Sequence, residues 1–297
     1  MQISIEIPYA IHELGCRDNQ EDSIYPQEGN ASESDRLFLV CDGMGGHANS
    51  EVASQLVCDV VSEHLCPAQW NESVLPDSLI QKALVAVQEK LNTFDNGSMR
   101  QMGTTFTLLC LHRGGATMAH IGDSRIYHIR PKERRILYKS RDHSLVYDLF
   151  LSGEITKEQM ATFDRKNVIT KAIMPGNERQ FKPDIVHTTD ILPGDIFYLC
   201  SDGMLEQMDD ASLVEFFSSG KSDAERRRAL IDATVDNQDN HSAWIVRIAG
   251  VVREAFDKDQ PNNEATSKNN AALIEYGNAT FTSKSWWEKL MNKLGME

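Results

Sequence analysis

The sequence predicts one domain of mixed α and β class over residues 1–252, with long helices laid on sheet. Three observations predict it: short β-branched and aromatic runs alternate with amphipathic helical stretches from Ile3 to about Ile248, no long structureless linker interrupts that span, and no internal repeat divides it.

Taken in chain order, residues 36–41 (Arg-Leu-Phe-Leu-Val-Cys) read as a strand from their apolar, β-forming content. A helix is expected over 50–65, because Val52, Leu56 and Val60 recur on one face and Ser50 can cap the start. A second is expected over 77–94, where Ile80, Ala83, Leu84, Val87 and Leu91 form the apolar stripe. Strands follow at 103–112, 116–121 and 124–130, most of them separated by turns that contain glycine. Residues 142–183 have a different texture and read as an inserted flap. It comprises a short helix ending near Gly153, a capping-box start at Thr156 with Gln159 three residues on, and a segment at 167–173. A strand at 195–200 precedes two helices, one over 210–217 ending at Gly220 and one opening at Ser222 with Glu225 as its box partner. The last strand is read at 243–252.

After about Arg253 the composition turns to Asp, Asn, Lys, Ser and Gln. Too little apolar surface remains there to offset the entropy of ordering, so 253–280 is expected to be a flexible linker. Residues 281–297, with Trp286 and Trp287, read as a short amphipathic helix candidate; docking on the domain is favoured over a partner or membrane-surface contact.

Composition narrows the function classes. Thirty basic against 44 acidic residues give a net charge of −14 over 297 residues, which repels a polyanionic backbone and argues against nucleic acid as a partner. No apolar run is long enough to span a bilayer and the N-terminus lacks secretory-signal features, so a cytoplasmic location is expected. The six cysteines make no C-x-x-C pattern and several sit inside apolar runs, as buried reduced thiols do.

The chemistry is carried by aspartates. Three apolar strands run into an Asp beside a Gly: Asp42-Gly43, Gly122-Asp123 and Asp202-Gly203. One such pair is usually only a turn. Three at strand exits would gather carboxylates into a cluster that cannot all stay ionised at neutral pH without cations. Asp22 and Asp239, the latter just before the final strand, complete an all-oxygen donor set suited to hard ions, Mg²⁺ or Mn²⁺. Two such ions about 3.5–4 Å apart acidify a shared water, a device typical of phosphoryl transfer. Arg17, five residues before Asp22, could offer a bidentate fork to phosphate. The run Gly43-Met44-Gly45-Gly46 lets a backbone carbonyl approach a metal closely, and lacks the ending of a Walker loop.

Ordered blocks over roughly residues 5–250 resemble one family. They are Arg17-x-Asn19-x-Glu21-Asp22, Val40-Cys-Asp42-Gly43-Met-Gly-Gly46-His47, Gly103-Thr104-Thr105, Gly122-Asp123-Ser124-Arg125, Asp142-His143-Ser144, Asn167-x-x-Thr170, Ser201-Asp202-Gly203 and Asp239-Asn240. The chain is similar to the PPM-type, or type 2C-like, metal-dependent protein serine/threonine phosphatases, particularly their compact bacterial members. The resemblance implies an α+β fold, a four-layer αββα sandwich whose central antiparallel β-sandwich is flanked by helix pairs, with the metals at one edge under the flap.

It also implies roles. Asp42 would bridge two core ions, Asp202 and Asp239 would hold one, the Gly43 carbonyl would ligate the other, and Asp22 would serve them directly or through water. Asp123 would hold a third, weaker ion with Asp202, and Arg17 would receive the phosphate. The catalytic set is then Arg17, Asp42 and Asp202, acting on phosphorylated proteins in opposition to a serine/threonine kinase, with a monomer favoured. Met44 stands where many eukaryotic relatives have a histidine proposed as general acid, which leaves that acid open, with His47 a candidate. At the last block Asp236-Asn237 competes with Asp239-Asn240, and the spacing to the following strand favours Asp239. A binding-only relative and a two-metal nuclease are the rival readings. The intact acidic set argues against the first and the charge balance against the second.

Overall fold

The computed structural model describes residues 1–45, 50–65, 74–94, 102–163, 168–176 and 181–253. The expected linker and amphipathic segment beyond Arg253 lie outside the described residues, as do Gly46, His47, Cys66 and Asn167.

The described elements are, in order, β1 (Gln2–Ile5), β2 (Tyr9–Glu13), β3 (Asp22–Tyr25), β4 (Leu37–Met44), α1 (Ser50–His64), α2 (Asp77–Asn92), β5 (Gly103–Thr104), β6 (Phe106–His112), β7 (Gly115–Ile121), β8 (Arg125–Arg130), β9 (Arg135–Lys139), α3 (Leu145–Leu151), α4 (Lys157–Ala161), β10 (Asp184–Thr188), β11 (Ile196–Cys200), α5 (Asp210–Ser218), α6 (Asp223–Thr234) and β12 (His241–Val252). They form two sheets. One runs β1-β12-β11-β8-β9, with β2 also on β12; the other runs β10-β7-β6-β4-β3, with β5 on β4. The pairings are antiparallel. The molecule is an α+β sandwich, as the sequence led one to expect.

Side-chain alternation builds the layers. Along β4, Leu37, Leu39 and Cys41 point to one face and pack with Val57 and Val61 of α1 and Ile80, Leu84 and Val87 of α2. Phe38 and Val40 point the other way and meet Phe197, Leu199, Trp244 and Val246 of the opposite sheet. On that second sheet Tyr198, Cys200 and Ile245 face outward onto Leu213, Phe216 and Phe217 of α5 and Leu230 of α6. Each sheet is therefore covered on both faces, which is why central strands such as β4 from Leu37 to Cys41 and β11 read as continuous apolar runs. Phe38 and Trp244 meet at a centroid distance of 5.4 Å at the centre of the sandwich, and burying a ring of this size contributes on the order of 2–3 kcal/mol.

Some expectations need correction. β1, β2, β3, β9 and β10 were not expected as strands: they are short, carry charged or polar residues and mostly lie at sheet edges, where one open side tolerates such content. Asp42 and Gly43 lie within β4, which continues to Met44 because β5 pairs with its end. Ser50 is the first helical residue of α1, so the position that would cap it lies outside the described residues. Both capping boxes form as expected, Thr156 with Gln159 and Ser222 with Glu225. Cys41, Cys58, Cys110 and Cys200 are buried free thiols, whereas Cys16 is exposed. Among the described residues no helix is long and apolar enough to cross a membrane.

Candidate active site

Antiparallel pairing brings the predicted acidic residues to one end of the sandwich. Where one strand ends its neighbour begins, so residues far apart in sequence share a sheet edge. Asp22 at the start of β3 is the register partner of Asp42 near the end of β4. Cys200 at the end of β11 pairs with Ala243 near the start of β12, which sets Asp202 beside the turn carrying Asp239. β7 ends at Ile121, opposite Phe106 at the start of β6, and delivers Asp123 to the same end.

Hydrogen bonds fix these groups. Ser201 Oγ donates to Asp22 Oδ2 at 2.8 Å. The Asp42 amide donates to Thr105 Oγ1 at 2.9 Å, and the Asp42 carbonyl accepts from Thr105 N at 2.9 Å and Thr104 Oγ1 at 3.0 Å. Gly43 is locked by its amide on the Glu21 carbonyl at 3.1 Å. The Asp239 amide donates to Glu206 Oε1 at 2.9 Å. Asn240 accepts from the Glu21 amide at 2.9 Å and donates to the carbonyls of Leu14 at 2.8 Å and Asn19 at 3.0 Å, fastening the Arg17 to Asp22 loop to the Asp239 turn. Of the rival pair, Asn237 is buried with its amide on the Gly203 carbonyl at 2.8 Å, Asp236 is exposed, and Asp239 is the carboxylate whose charge reaches Asp22, Asp42 and Asp202.

Arg17 is paired with one of the predicted carboxylates. Its guanidinium donates to Asp239 Oδ2 at 2.8 Å, with the Arg17 side chain 52% exposed. Such exposed pairs are worth about 0–1 kcal/mol, so this one is easily exchanged for another anion. Desolvation alone would lower the basicity of Arg17, but Asp239, Glu21 and Asp42 outweigh it and raise it.

The carboxylates are mutually destabilised. Desolvation, then Asp202 and Asp239, push Asp22 up to about 7 against the Ser242 and Ser201 hydrogen bonds. Asp123 is pushed up to about 7 by desolvation and by Asp202 and Asp142. Asp42 lies well above the usual carboxylate range, through desolvation and then Asp22, Asp202, Asp123 and Asp239. Asp202 is raised by desolvation and Asp239. These groups repel one another and lack a full set of donors.

A pair of hard cations fits this arrangement. Asp22 Oδ1 and Asp123 Oδ1 are buried acceptors without a hydrogen-bond partner among the described residues, an arrangement that costs about 1–3 kcal/mol per group unless something supplies positive charge. A Cβ added at Gly43 would lie 2.5 Å from both the Glu21 and the Ser50 carbonyl oxygens, so only glycine lets the backbone pass there. The donors are oxygens, as Mg²⁺ and Mn²⁺ prefer. The set is open: among the described residues the trio with donor atoms all within 4.8 Å of one another is His120, His143 and Asp184, which includes none of Asp22, Asp42, Asp123, Asp202 and Asp239. An open set suits ions that retain several waters.

Ser201, Thr104 and Thr105 stand out in the sequence only as members of blocks; Glu206 and the clamping role of Asn240 lie outside what the sequence pattern shows. Ser201 and Thr105 flank recognisable Asp motifs, whereas Glu206 carries no local signal because only the turn after β11 brings it to Asp239.

Comparison with known proteins points one way. The family model described as protein phosphatase 2C matches residues 18–233, more than half of the chain, leaving Arg17 and Asp239 just outside. The serine/threonine phosphatase stp of Listeria innocua is 29% identical over 206 residues, covering 66% of this chain and 77% of that protein. The crystal structure of the Mycobacterium tuberculosis serine/threonine phosphatase PstP/Ppp superposes with a TM-score of 0.69 at 27% identity, covering 83% of this chain and 100% of that one. The catalytic domain of PstP in complex with two manganese ions gives a TM-score of 0.64 at 26% identity, over 84% and 100%.

Proposed function

The chain belongs to the protein phosphatase 2C family, and we propose that its aspartate-lined end hydrolyses phosphoserine and phosphothreonine on proteins, using Mn²⁺ or Mg²⁺ and opposing a serine/threonine kinase. The observation that carries this reading is the convergence of mutually repelling, partly orphaned carboxylates from both sheets. In this reading Asp42 would serve two ions, Asp202 and Asp239 would hold one and the Gly43 carbonyl the other; Asp22 would serve them directly or through water, and Asp123 with Asp202 would take a third. Two ions held there would neutralise phosphate and acidify a shared water.

The protein's own groups do the rest. Arg17, exchangeable from Asp239, orients the phosphate through its fork. Ser201 and Thr105 hold Asp22 and the Asp42 backbone so that the carboxylates need not reorganise during reaction. Cys200, two residues before Asp202, is poorly suited to act as a nucleophile: it is buried and its thiol is pushed up to about 12, chiefly by desolvation.

Phosphate release from a phosphothreonine peptide or an aryl phosphate is expected to require added Mn²⁺ and to stop on chelation. Binding of the peptide without metal-dependent release would favour the binding-only reading. Thermal melting gives an independent readout. Burial, then the neighbouring carboxylates, push Asp22 and Asp123 up to about 7 in the folded protein, against 3.8 for a solvated carboxyl. The folded, ion-free protein therefore holds more protons between those values and loses stability as pH rises through that window. Mn²⁺ should accordingly raise the melting temperature more at pH 7.5 than at pH 5; an equal rise at both would contradict the assignment of these groups.

Arg17→Ala is expected to raise KM about 10-fold or more with a smaller change in kcat, since charge-assisted hydrogen bonds contribute about 1.5–3 kcal/mol. An unchanged KM in steady-state assays removes the clamp role.

A further inference from the structure

A second cluster sits where residues 168–171 meet the body of the domain. His120 on β7 and His143 stack with centroids 4.7 Å apart and ring planes 6° from parallel, and Asp184 of β10 completes a trio with metal-like spacing. Three features make it a poor cation site. Imidazole lone pairs lie in the ring plane, so two parallel stacked rings cannot both aim at one ion. His143 Nδ1 already accepts from the Gly122 amide at 3.0 Å, which puts the ring proton on Nε2, facing Asp184 Oδ2 at 3.3 Å. Lys171 Nζ stands 3.2 Å from His143 Nε2 and 3.4 Å from Asp184 Oδ1, supplying the positive charge itself.

The same contacts serve another purpose. Gly122 is held twice by one residue: its amide donates to His143 Nδ1, and its carbonyl accepts from the His143 amide at 2.9 Å. On the other side a Cβ at Gly122, where φ is +106°, would fall 2.6 Å from Thr105 Cγ2, and Thr105 Oγ1 lies 2.7 Å from Ser124 Oγ. The turn carrying Asp123 is thus gripped between Thr105 and His143. His143 also faces the 168–171 segment: its carbonyl accepts from the Thr170 amide at 2.8 Å, Leu145 N donates to the Val168 carbonyl at 2.8 Å, and Ser144 bridges Ile169.

We propose that His143 is a positioning residue that holds the Gly122-Asp123 turn, and with it the Asp123 carboxylate, in place for an ion, and ties that turn to the 168–171 segment. The proposal rests on the reading of Asp123 as a ligand. Desolvation, then His120 and Lys171, lower the basicity of His143 to about 4 despite Asp184, in keeping with a neutral ring whose Nδ1 accepts.

The test measures Mn²⁺ binding by calorimetry and by electron paramagnetic resonance of free Mn²⁺, on the full chain and on D123N, H143N and H143Q. Asparagine places its carbonyl oxygen near the position of Nδ1 and keeps the acceptor; glutamine extends toward Nε2 and does not. D123N is expected to lose the weakest class of bound Mn²⁺. H143Q should weaken that same class about 10-fold or more, the size of effect seen when a group orienting a metal ligand is removed, and H143N should restore it to within about 3-fold of the parent. H143Q binding like the parent, or H143N as impaired as H143Q, overturns the positioning role while leaving Asp123 intact. D123N binding the full complement overturns the Asp123 assignment and the proposal with it. Should H143Q fail to fold, the ¹⁵N shifts of the parent protein decide: Nδ1 unprotonated and Nε2 protonated from pH 6 to 8 is expected, and the opposite tautomer overturns the proposal.

Discussion

Asp42→Asn is expected to reduce kcat by about 10³-fold or more at saturating Mn²⁺, while the folded state is retained. Metal-assisted charge stabilisation supplies several kcal/mol of transition-state stabilisation, and each 1.36 kcal/mol lost is tenfold in rate. Asp42 is the carboxylate that Asp22, Asp123, Asp202 and Asp239 all act on, so its loss touches every other member of the cluster. Its ion-free fold should not suffer. Removing a charge that desolvation and four like neighbours oppose relieves repulsion, and the chelated variant should melt at or above the parent's temperature. Steady-state phosphate release and thermal melting measure both effects. Turnover close to that of the parent would remove Asp42 from the centre of the site.

Gly43→Ala should act in the opposite way, through the fold. The new Cβ would meet two backbone carbonyls at 2.5 Å, Glu21 on the loop leading into β3 and Ser50 at the start of α1. Neither is the free end of a flexible side chain, so the backbone itself must move. Overpacking of this kind costs about 1–3 kcal/mol and sometimes more, which in a domain of this size lowers the melting temperature by about 2–12 °C. Because the shift would displace the Gly43 carbonyl and Asp22 together, Mn²⁺ affinity is expected to fall as well. Unchanged melting and unchanged Mn²⁺ binding would mean that the backbone at Gly43 yields without consequence.

The two variants separate charge from geometry. Asp42→Asn changes what the site carries and leaves its frame; Gly43→Ala changes the frame and leaves the charges. His143 and Asn240 belong with the frame: each ties a loop bearing an aspartate to a neighbouring segment, and neither offers a negative charge of its own.

Much of this was readable from the chain before any coordinates. Mixed α and β class, the helices of the two outer layers, both capping boxes and the aspartates near three strand ends follow from local pattern, because apolar periodicity, capping geometry and glycine turns are properties of neighbouring residues. Tertiary structure alone decided that β3 forms beside β4, that Arg17 lies on Asp239, that Glu206 and Asn240 brace the last turn, and that His143 grips Gly122. The physical reason is separation: Asp22 and Ser201 touch across 179 positions, and a contact of that range leaves no periodicity for local sequence to display. The edge strands escaped notice for a related reason, since their stability comes from hydrogen bonding to a partner strand far along the chain rather than from residues of their own.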